Sequence, residues 1–222
     1  MAIGFSVAWH WIGAIATILL FMRGTVLLVF IAWRWRTPRQ PPGGTVRTLV
    51  VLGSGGHTAE MLRLTEGMDR IRYRPWFYVL AETDKTSLSK VATTESAARI
   101  RTAENKNVFR IPRSREVGQS WFSTVISTLY ASIWAFFVTA RLQPNLVLAN
   151  GPGTCLPICV AAFALRVLGL GDARIIFCES FCRVKSLSLT GKLLYPIADR
   201  FIVQWPELQE KYRRAEYIGV LC

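Results

Sequence analysis

One stretch of the chain constrains its fold more than any other, because an apolar segment runs directly into a glycine-rich loop and then into a helical pattern. The sequence reads Thr48-Leu-Val-Val-Leu-Gly-Ser-Gly-Gly-His-Thr-Ala-Glu-Met-Leu62. A strand can turn into a packed helix over so short a distance only if some backbone positions take a positive φ or approach their neighbours closely, which glycine permits. We therefore predict a strand–loop–helix unit whose turn is made by Gly53, Gly55 and Gly56.

The same loop has the chemistry of an anion site. Backbone N–H groups at the start of a helix are unpaired and lie at the positive end of the helix dipole, so they bind phosphate. The loop lacks the lysine of a nucleotide-hydrolase loop, and the third glycine of the dinucleotide fingerprint would fall on Thr58. We predict that His57 lies at the rim of a phosphate site. The alternative is a tight turn in which His57 only caps or packs.

The N-terminal segment has the pattern of a membrane anchor. Residues 2–22 contain no Asp, Glu, Lys or Arg, and a helix of that length reaches roughly 30 Å, the thickness of a bilayer's hydrocarbon core. A cleavable signal would have a basic start and a shorter apolar core, so we predict a retained anchor over residues 1–36. We favour a span at residues 2–22. The other placement, residues 12–33, would put Arg23 near mid-bilayer at a cost of about 2.5–3.5 kcal/mol.

Charge predicts the topology of the anchor. Arginines follow it, and no acidic residue occurs before Glu60, so the positive-inside rule predicts a lumenal N-terminus and a cytosolic main domain. The net charge of +13 fits a protein held against an anionic membrane face. No nucleic-acid-binding module is recognisable, so we expect no nucleic-acid partner. A linker rich in proline and glycine occupies residues 37–45.

Beyond the linker, short apolar segments alternate with helical patterns. The predicted strands are residues 47–52, 76–81, 108–111, 146–149, 174–178 and 200–203, and the predicted helices are residues 57–67, 85–101, 117–142, 155–168, 187–195 and 207–214. This alternation is typical of parallel strands with helices on both faces. We therefore predict one Rossmann-like α/β domain over residues 46–222.

The pattern at residues 121–140 carries no charge and is long enough to cross a bilayer. Its place between two predicted strands favours a crossover helix that covers the sheet. A third interpretation is that the outer face of this helix dips into the membrane interface. That face would consist of Trp121, Tyr130, Trp134 and Phe137.

Ligands of open α/β sheets bind outside the carboxyl ends of the strands, where three predicted loops lie. Besides the first glycine loop, these are Asn150-Gly-Pro-Gly-Thr154, in which Thr154 is placed to cap the next helix, and Glu179-Ser-Phe-Cys-Arg183. Two glycine turns at one edge form a larger anion cradle than one. Glu179 is expected to accept hydrogen bonds from sugar hydroxyls and Arg183 to pair with a phosphate. The alternatives are ordinary turns and a structural Glu179–Arg183 ion pair.

The five cysteines and two histidines do not form a metal-binding pattern. Cys155 and Cys159, like Cys178 and Cys182, are four residues apart but lack an accompanying histidine. We predict reduced, buried thiols and expect neither a metal nor a cofactor.

Four motifs together resemble a known family. They are Gly53-Ser-Gly-Gly-His-Thr-Ala-Glu-Met-Leu62, Asn150-Gly-Pro-Gly153, Glu179-Ser180 with Arg183-Val184, and Asp199-Arg-Phe-Ile-Val-Gln-Trp-Pro206. In these motifs the chain resembles the asparagine-linked glycosylation protein fourteen family, the membrane-anchoring subunits of the eukaryotic UDP-N-acetylglucosamine transferase. It also resembles the amino-terminal half of the bacterial enzyme that adds N-acetylglucosamine to lipid I. The resemblance covers roughly residues 47–222.

The resemblance implies a split GT-B glycosyltransferase in which this chain is the acceptor-side half and a separate soluble subunit binds UDP-N-acetylglucosamine. The implied reaction adds a second N-acetylglucosamine to N-acetylglucosaminyl-diphospho-dolichol at the cytosolic face of the endoplasmic reticulum membrane. The chain beyond the linker has room for one Rossmann-like domain where a full GT-B enzyme needs two, so we expect it to be inactive alone. The residues expected to bind the acceptor diphosphate are Gly53, Ser54, Gly55, Gly56, Asn150, Gly151, Gly153 and Thr154.

The remaining implied roles concern the proton, the acceptor and the partner. His57 is the candidate general base, because an imidazole pKa of about 6.5 suits that task. The alternative is a purely positional role. Glu179, Ser180 and Arg183 are expected acceptor or interface contacts. The C-terminal tail, residues 216–222, is expected to dock on the catalytic partner or, alternatively, to complete this domain's own sheet. Its partner-binding residues would be Tyr217, Ile218, Gly219, Val220 and Leu221. A membrane-anchored nucleotide-dependent oxidoreductase and a pure scaffold are the other functions that the residues leave open.

Overall fold

The computed structural model describes residues 15, 17–26, 28, 44–84, 107–114, 118–151 and 153–220. The chain divides into two compact units, Met1–Thr37 and Pro38–Cys222. In the first unit the described residues include an apolar helix, α1 (Thr17–Val26), whose large apolar side chains are exposed. The anchor predicted at residues 2–22 and the linker predicted at residues 37–45 lie largely outside the described residues.

The second unit is built on a seven-stranded sheet in the order β3-β2-β1-β4-β5-β6-β7. Every neighbouring pair of strands is parallel. The parallel sheet confirms the predicted Rossmann-like α/β class. The strands are β1 (Thr48–Val51), β2 (Trp76–Ala81), β3 (Val108–Ile111), β4 (Leu146–Asn150), β5 (Arg174–Cys178), β6 (Arg200–Val203) and β7 (Ala215–Tyr217).

The described helices lie where the sequence predicts them, with ends that differ by a few residues. They are α2 (Gly56–Glu66), α3 (Trp121–Leu142), α4 (Cys155–Val167), α5 (Leu189–Leu194) and α6 (Pro206–Lys211). The helix predicted at residues 85–101 lies outside the described residues. β7 is an addition to the six predicted strands, in which Tyr217 pairs with Val203 of β6. The alternative that the chain end extends its own sheet therefore holds for Ala215–Tyr217.

In β1 and β2, alternate residues face two separate cores, which explains why these two strands are largely apolar. Leu49 and Val51 of β1 pack in the larger core with residues of α3 and α4 such as Ala135 and Ile158. Val50 and Leu52 face the other way and pack against α2 through Met61 and Leu62. The helices therefore cover both faces of the sheet.

Helix α3 is the crossover helix between β3 and β4, and it packs against α4. Ser120 caps it by accepting a hydrogen bond from the Ser123 N–H at 3.3 Å. Ala131 and Ala135 face the core. The segment Phe122–Leu142 is long and apolar enough to cross a membrane by length and composition, but its buried face and its two flanking strands make it part of the α/β domain.

A buried ion pair ties α4 to the amino-terminal ends of the last strands. The Arg166 side chain is 1% exposed and donates to both carboxylate oxygens of Asp199, at 2.9 and 2.7 Å. It also donates to the Ala173 carbonyl at 3.0 Å, and the Asp199 carboxylate accepts the Ile175 N–H at 2.7 Å. Removal of the carboxylate would leave a buried guanidinium without its counterion, which costs far more than the loss of an exposed pair.

We expect Asp199→Ala to lower the free energy of unfolding by about 3–5 kcal/mol, because one partner of a buried pair is lost. The measurement is chemical denaturation of the full-length chain in detergent. Glu216→Ala is the control, since it removes the exposed Arg200–Glu216 pair and should cost no more than about 1 kcal/mol. Equal losses from the two variants would contradict this role of Asp199.

Candidate functional site

A cleft of about 530 Å³ opens at the carboxyl edge of the sheet. The strand order reverses between β1 and β4, where Val51 pairs with Ala149, so the loops that follow these two strands face each other. The cleft therefore lies where an open α/β sheet binds its ligands. It is lined by Ser54, His57, Ala81, Asp84, Arg113, Ser114, Gly118, Thr124, Thr128, Gly151, Gly153, Thr154, Leu156, Glu179, Ser180, Arg183, Ser188, Leu189, Thr190 and Leu193.

The first glycine loop ends at Gly55, the N-cap residue of α2, where φ is +67°. No side chain caps this helix, and its first turn carries no acidic residue. The Thr58 hydroxyl instead donates to the Gly53 carbonyl and ties the loop to the helix. The start of α2 thus keeps the features of an anion site that the sequence predicts.

The imidazole of His57 is held through its Nδ1 atom. Nδ1 lies 3.2 Å from Asn150 Oδ1 and 3.6 Å from Glu60 Oε2. Both partners are acceptors, so Nδ1 carries a proton and Nε2 keeps its lone pair when the ring is neutral. The nearby Glu60 carboxylate raises the pKa of His57 above its ordinary value and outweighs the effect of burial.

Gly151 provides the surface on which the His57 ring packs. Its φ is +77°, a conformation that favours glycine. A Cβ atom at this position would also overlap the ring atoms Nδ1, Cε1 and Cγ of His57. The second loop therefore requires glycine at position 151 for two independent reasons, one of which is the placement of the histidine.

Glu60 belongs to this site, although the sequence prediction does not include it. Its carboxylate accepts a hydrogen bond from the Ser180 hydroxyl at 3.1 Å, and its Oε2 lies 3.6 Å from His57 Nδ1. Burial acts to raise the pKa of Glu60, but the neighbouring His57, Asn150 and Ser180 side chains hold the pKa below its ordinary value. Its three-residue spacing from His57 on a predicted helix is the signal that places both side chains on one face.

The second loop departs from one prediction. Thr154 is the N-cap residue of α4, but its φ and ψ of −62° and −26° are helical and its side chain makes no capping hydrogen bond. The prediction that Thr154 caps this helix is wrong, because a capping side chain needs the extended backbone typical of an N-cap. Thr154 and Gly153 line the cleft instead.

Glu179 organises the third loop from its buried position. Its Oε1 accepts the Ser180 N–H at 3.1 Å, and its Oε2 accepts the N–H and hydroxyl of Ser188 at 2.9 and 3.1 Å. Burial raises the pKa of Glu179, against the opposing effects of these hydrogen bonds and of Arg183. Arg183 is exposed and lines the cleft, and no ion pair joins it to Glu179 in the described part of the chain.

Residues that follow β2 and β3 also reach the cleft, although the sequence analysis did not single them out. Asp84 follows β2, and Arg113 and Ser114 follow β3. The Ser114 carbonyl accepts hydrogen bonds from the hydroxyls of Ser127 and Thr128 at 2.7 and 3.1 Å, which fixes this loop to α3. Arg113 gives the cleft a second guanidinium beside Arg183, which suits an anionic ligand.

The described cysteines are free thiols, with Cys155, Cys159 and Cys178 buried and Cys182 exposed. Burial raises the pKa of Cys155 to about 12, so this thiol is unreactive at neutral pH. Within residues 44–84, 107–114, 118–151 and 153–220, no three His, Cys, Asp or Glu side chains come together as metal ligands. Cys222 lies outside the described residues.

The described members of the predicted partner-binding set lie at or just beyond the edge strand β7. Tyr217 is the last residue of β7, and Ile218 and Val220 beyond it are exposed. Gly219 has a φ of +99°. Leu221 lies outside the described residues.

Comparison with known proteins identifies close relatives of the chain. The model of the family described as "Oligosaccharide biosynthesis protein Alg14 like" matches residues 48–221. The UDP-N-acetylglucosamine transferase subunit ALG14 of Rattus norvegicus is 49% identical over 187 residues, which cover 82% of this chain and 84% of the relative. The Homo sapiens subunit is 45% identical over 203 residues, or 88% and 94% of the two chains. The Schizosaccharomyces pombe subunit is 44% identical over 177 residues, or 78% and 82%.

Solved structures with a similar fold are more distant in sequence. MurG of Acinetobacter baumannii superposes with a TM-score of 0.53 at 14% identity, over 78% of this chain and 45% of MurG. A UDP-N-acetylglucosamine 2-epimerase superposes with a TM-score of 0.55 at 12% identity, over 76% of this chain and 44% of the epimerase. The chain thus spans less than half the length of these proteins. The oxidoreductase alternative finds no support among the relatives named here.

We expect Gly151→Ala to lower the free energy of unfolding by about 1–3 kcal/mol, from the positive φ alone, and to displace the His57 ring. Thermal unfolding measures the first effect and the chemical shifts of the imidazole measure the second. Gly153→Ala is the control in the same loop, because its Cβ would meet nothing closer than Ser114 Cβ at 4.0 Å. Unchanged His57 shifts in Gly151→Ala would contradict the packing role of this glycine.

Proposed function

The chain belongs to the Alg14-like family of oligosaccharide biosynthesis proteins, and from that premise we propose that it is the membrane-anchoring, acceptor-side subunit of a UDP-N-acetylglucosamine transferase. Relatives that it matches along most of their length are named as subunits of that transferase. The proposed reaction adds N-acetylglucosamine from its UDP donor to N-acetylglucosaminyl-diphospho-dolichol at the cytosolic face of the endoplasmic reticulum membrane.

The single observation that carries the proposal is the cleft at the β1–β4 switch point. It has the glycine loops, the helix start and the two guanidinium groups that a diphosphate requires. It also has an imidazole whose Nε2 is free to accept a proton in the neutral tautomer. In this proposal the loops at Gly53–Gly56 and Asn150–Thr154 bind the acceptor diphosphate, and Arg113 and Arg183 add counter-charge.

The names of the relatives support a catalytic partner, because relatives matched along most of their length are named as subunits of the transferase. The Rossmann-like domain that carries the cleft matches 45% of MurG and 44% of the epimerase. We propose that a soluble subunit binds UDP-N-acetylglucosamine and closes over this domain. The exposed residues Ile218 and Val220, next to the edge strand β7, are the proposed contact for that subunit.

Two features support a position at the membrane. The first is the apolar N-terminal segment, proposed as a single span with a lumenal N-terminus. The second is the outer face of α3, whose apolar side chains are exposed in a continuous series along the helix. Such a face can lie in the interfacial region of a bilayer beside a lipid-linked acceptor. The series consists of Phe122, Val125, Ile126, Leu129, Tyr130, Ile133, Trp134 and Phe137.

We expect transfer of labelled N-acetylglucosamine to a diphospho-lipid acceptor only when this chain is mixed with its soluble partner subunit. Each protein alone should be inactive, because each supplies only half of the active site. The assay uses the full-length chain in detergent or in vesicles with the lipid acceptor. Activity of this chain alone would overturn the split-enzyme proposal, as would inactivity of the mixture.

We expect His57→Ala to lower the rate of transfer by about 10²–10⁴-fold, the usual contribution of a general base. Partner binding should be unchanged, since the imidazole lies in the cleft and not at β7. His10→Ala changes the other histidine of the chain and is the matched control. A near wild-type rate in His57→Ala would exclude the imidazole as the base while leaving the subunit assignment intact.

A further inference from the structure

We propose that Glu60 is the positioning residue for His57, holding the imidazole with Nδ1 protonated and Nε2 free to take the proton from the acceptor hydroxyl. This inference rests on the proposed function, because it assigns a role within the same site. It adds a carboxylate that faces the histidine from one turn further along α2.

The geometry around Glu60 is that of a carboxylate with a fixed orientation. Oε1 accepts the Ser180 hydroxyl at 3.1 Å, so the third loop holds one side of the carboxylate. Oε2 lies 3.6 Å from His57 Nδ1. The Asn150 side chain lies beside the same imidazole, with Oδ1 3.2 Å from Nδ1. Side chains from three chain segments, α2, the end of β4 and the loop after β5, therefore meet around the imidazole and the carboxylate.

Asn150 and Glu60 act on the same ring nitrogen in different ways. The Asn150 Oδ1 atom, 3.2 Å from Nδ1, selects the tautomer but carries no charge. Glu60 adds a negative charge, which stabilises the imidazolium that forms when the ring accepts a proton. These two roles follow the general rule that a catalytic histidine is oriented by a group bound to the ring nitrogen that does not take the proton.

The proton-transfer step balances with these groups alone. The acceptor 4-hydroxyl loses its proton to His57 Nε2 while its oxygen forms a bond to the anomeric carbon of the donor sugar. The bond from that carbon to the UDP oxygen breaks, and the electron pair leaves with UDP. The imidazolium that results faces the Glu60 carboxylate, and the ring becomes neutral again when its proton passes to water.

In the described part of the chain, two carboxylates act on the charge of His57. Glu60 lies on α2, the same helix as His57. Glu179, which lies after β5, also raises the pKa of His57. Asp84, Arg113 and Arg183 line the same cleft. Glu60, whose Oε2 lies 3.6 Å from Nδ1, makes the largest contribution to the raised pKa of His57. Removal of its charge should therefore move the titration of His57 to lower pH.

The chain contains two histidines, which makes the test direct. In a His10→Asn background, ¹⁵N-histidine NMR of the full-length chain in detergent reports the tautomer and titration midpoint of His57 alone. We expect the Nδ1–H tautomer and a midpoint above the ordinary value for the parent. Glu60→Gln should lower this midpoint, move the acid limb of the kcat profile in the same direction, and reduce the plateau kcat by about 10–100-fold.

Glu66→Gln is the matched control, because Glu66 is exposed at the last position of the same helix. It should change neither the midpoint nor kcat. Glu60→Asp keeps the charge but shortens the side chain, so it should give intermediate values and serves where Glu60→Gln fails to fold. An unchanged midpoint in both Glu60 variants overturns the positioning role. Full activity of His57→Ala would instead refute the general base, a separate failure.

Discussion

The site depends on the parallel pairing of β1 with β4. Val51 pairs with Ala149, so β1 and β4 end side by side. Both glycine loops therefore leave the sheet at the same edge. His57 and Asn150, which are 93 positions apart, thereby come within hydrogen-bond distance. The ring then needs a glycine beside it at position 151, and the carboxylate of Glu60 reaches the same nitrogen from α2. The part of the cleft that holds the histidine therefore follows from this one strand pairing.

Much of the fold could be predicted because the local patterns agree with the tertiary structure. Central strands of a parallel sheet are buried on both faces, so β1, β2 and β4 appear as largely apolar segments with clear ends. β7 shows no such pattern, since three residues at an exposed edge are too short to display one. Its pairing with β6 depends on tertiary contact between the two strands, which the local sequence of β7 does not indicate.

The candidate site was predictable to the extent that its residues follow strands directly. The glycine loops and His57 carry recognisable patterns, whereas Arg113 and Asp84 follow their strands without any. The orientation of Glu179 could not be inferred, because its hydrogen bonds go to Ser188, nine residues further along the chain. Thr154 illustrates the opposite error, in which a residue type typical of a cap stands at a position whose backbone conformation prevents capping.

The strand order also has a consequence for biosynthesis. β1 is an interior strand with a neighbour on each side, yet one of these neighbours, β4, begins at Leu146 and leaves the ribosome much later. At about 5–20 residues per second, the roughly 100 intervening residues take about 5–20 s to translate. During that interval one edge of β1 and the apolar face of the sheet that α4 later covers stay exposed. The nascent chain therefore passes through an aggregation-prone stage that ends only when its central strand acquires its second neighbour.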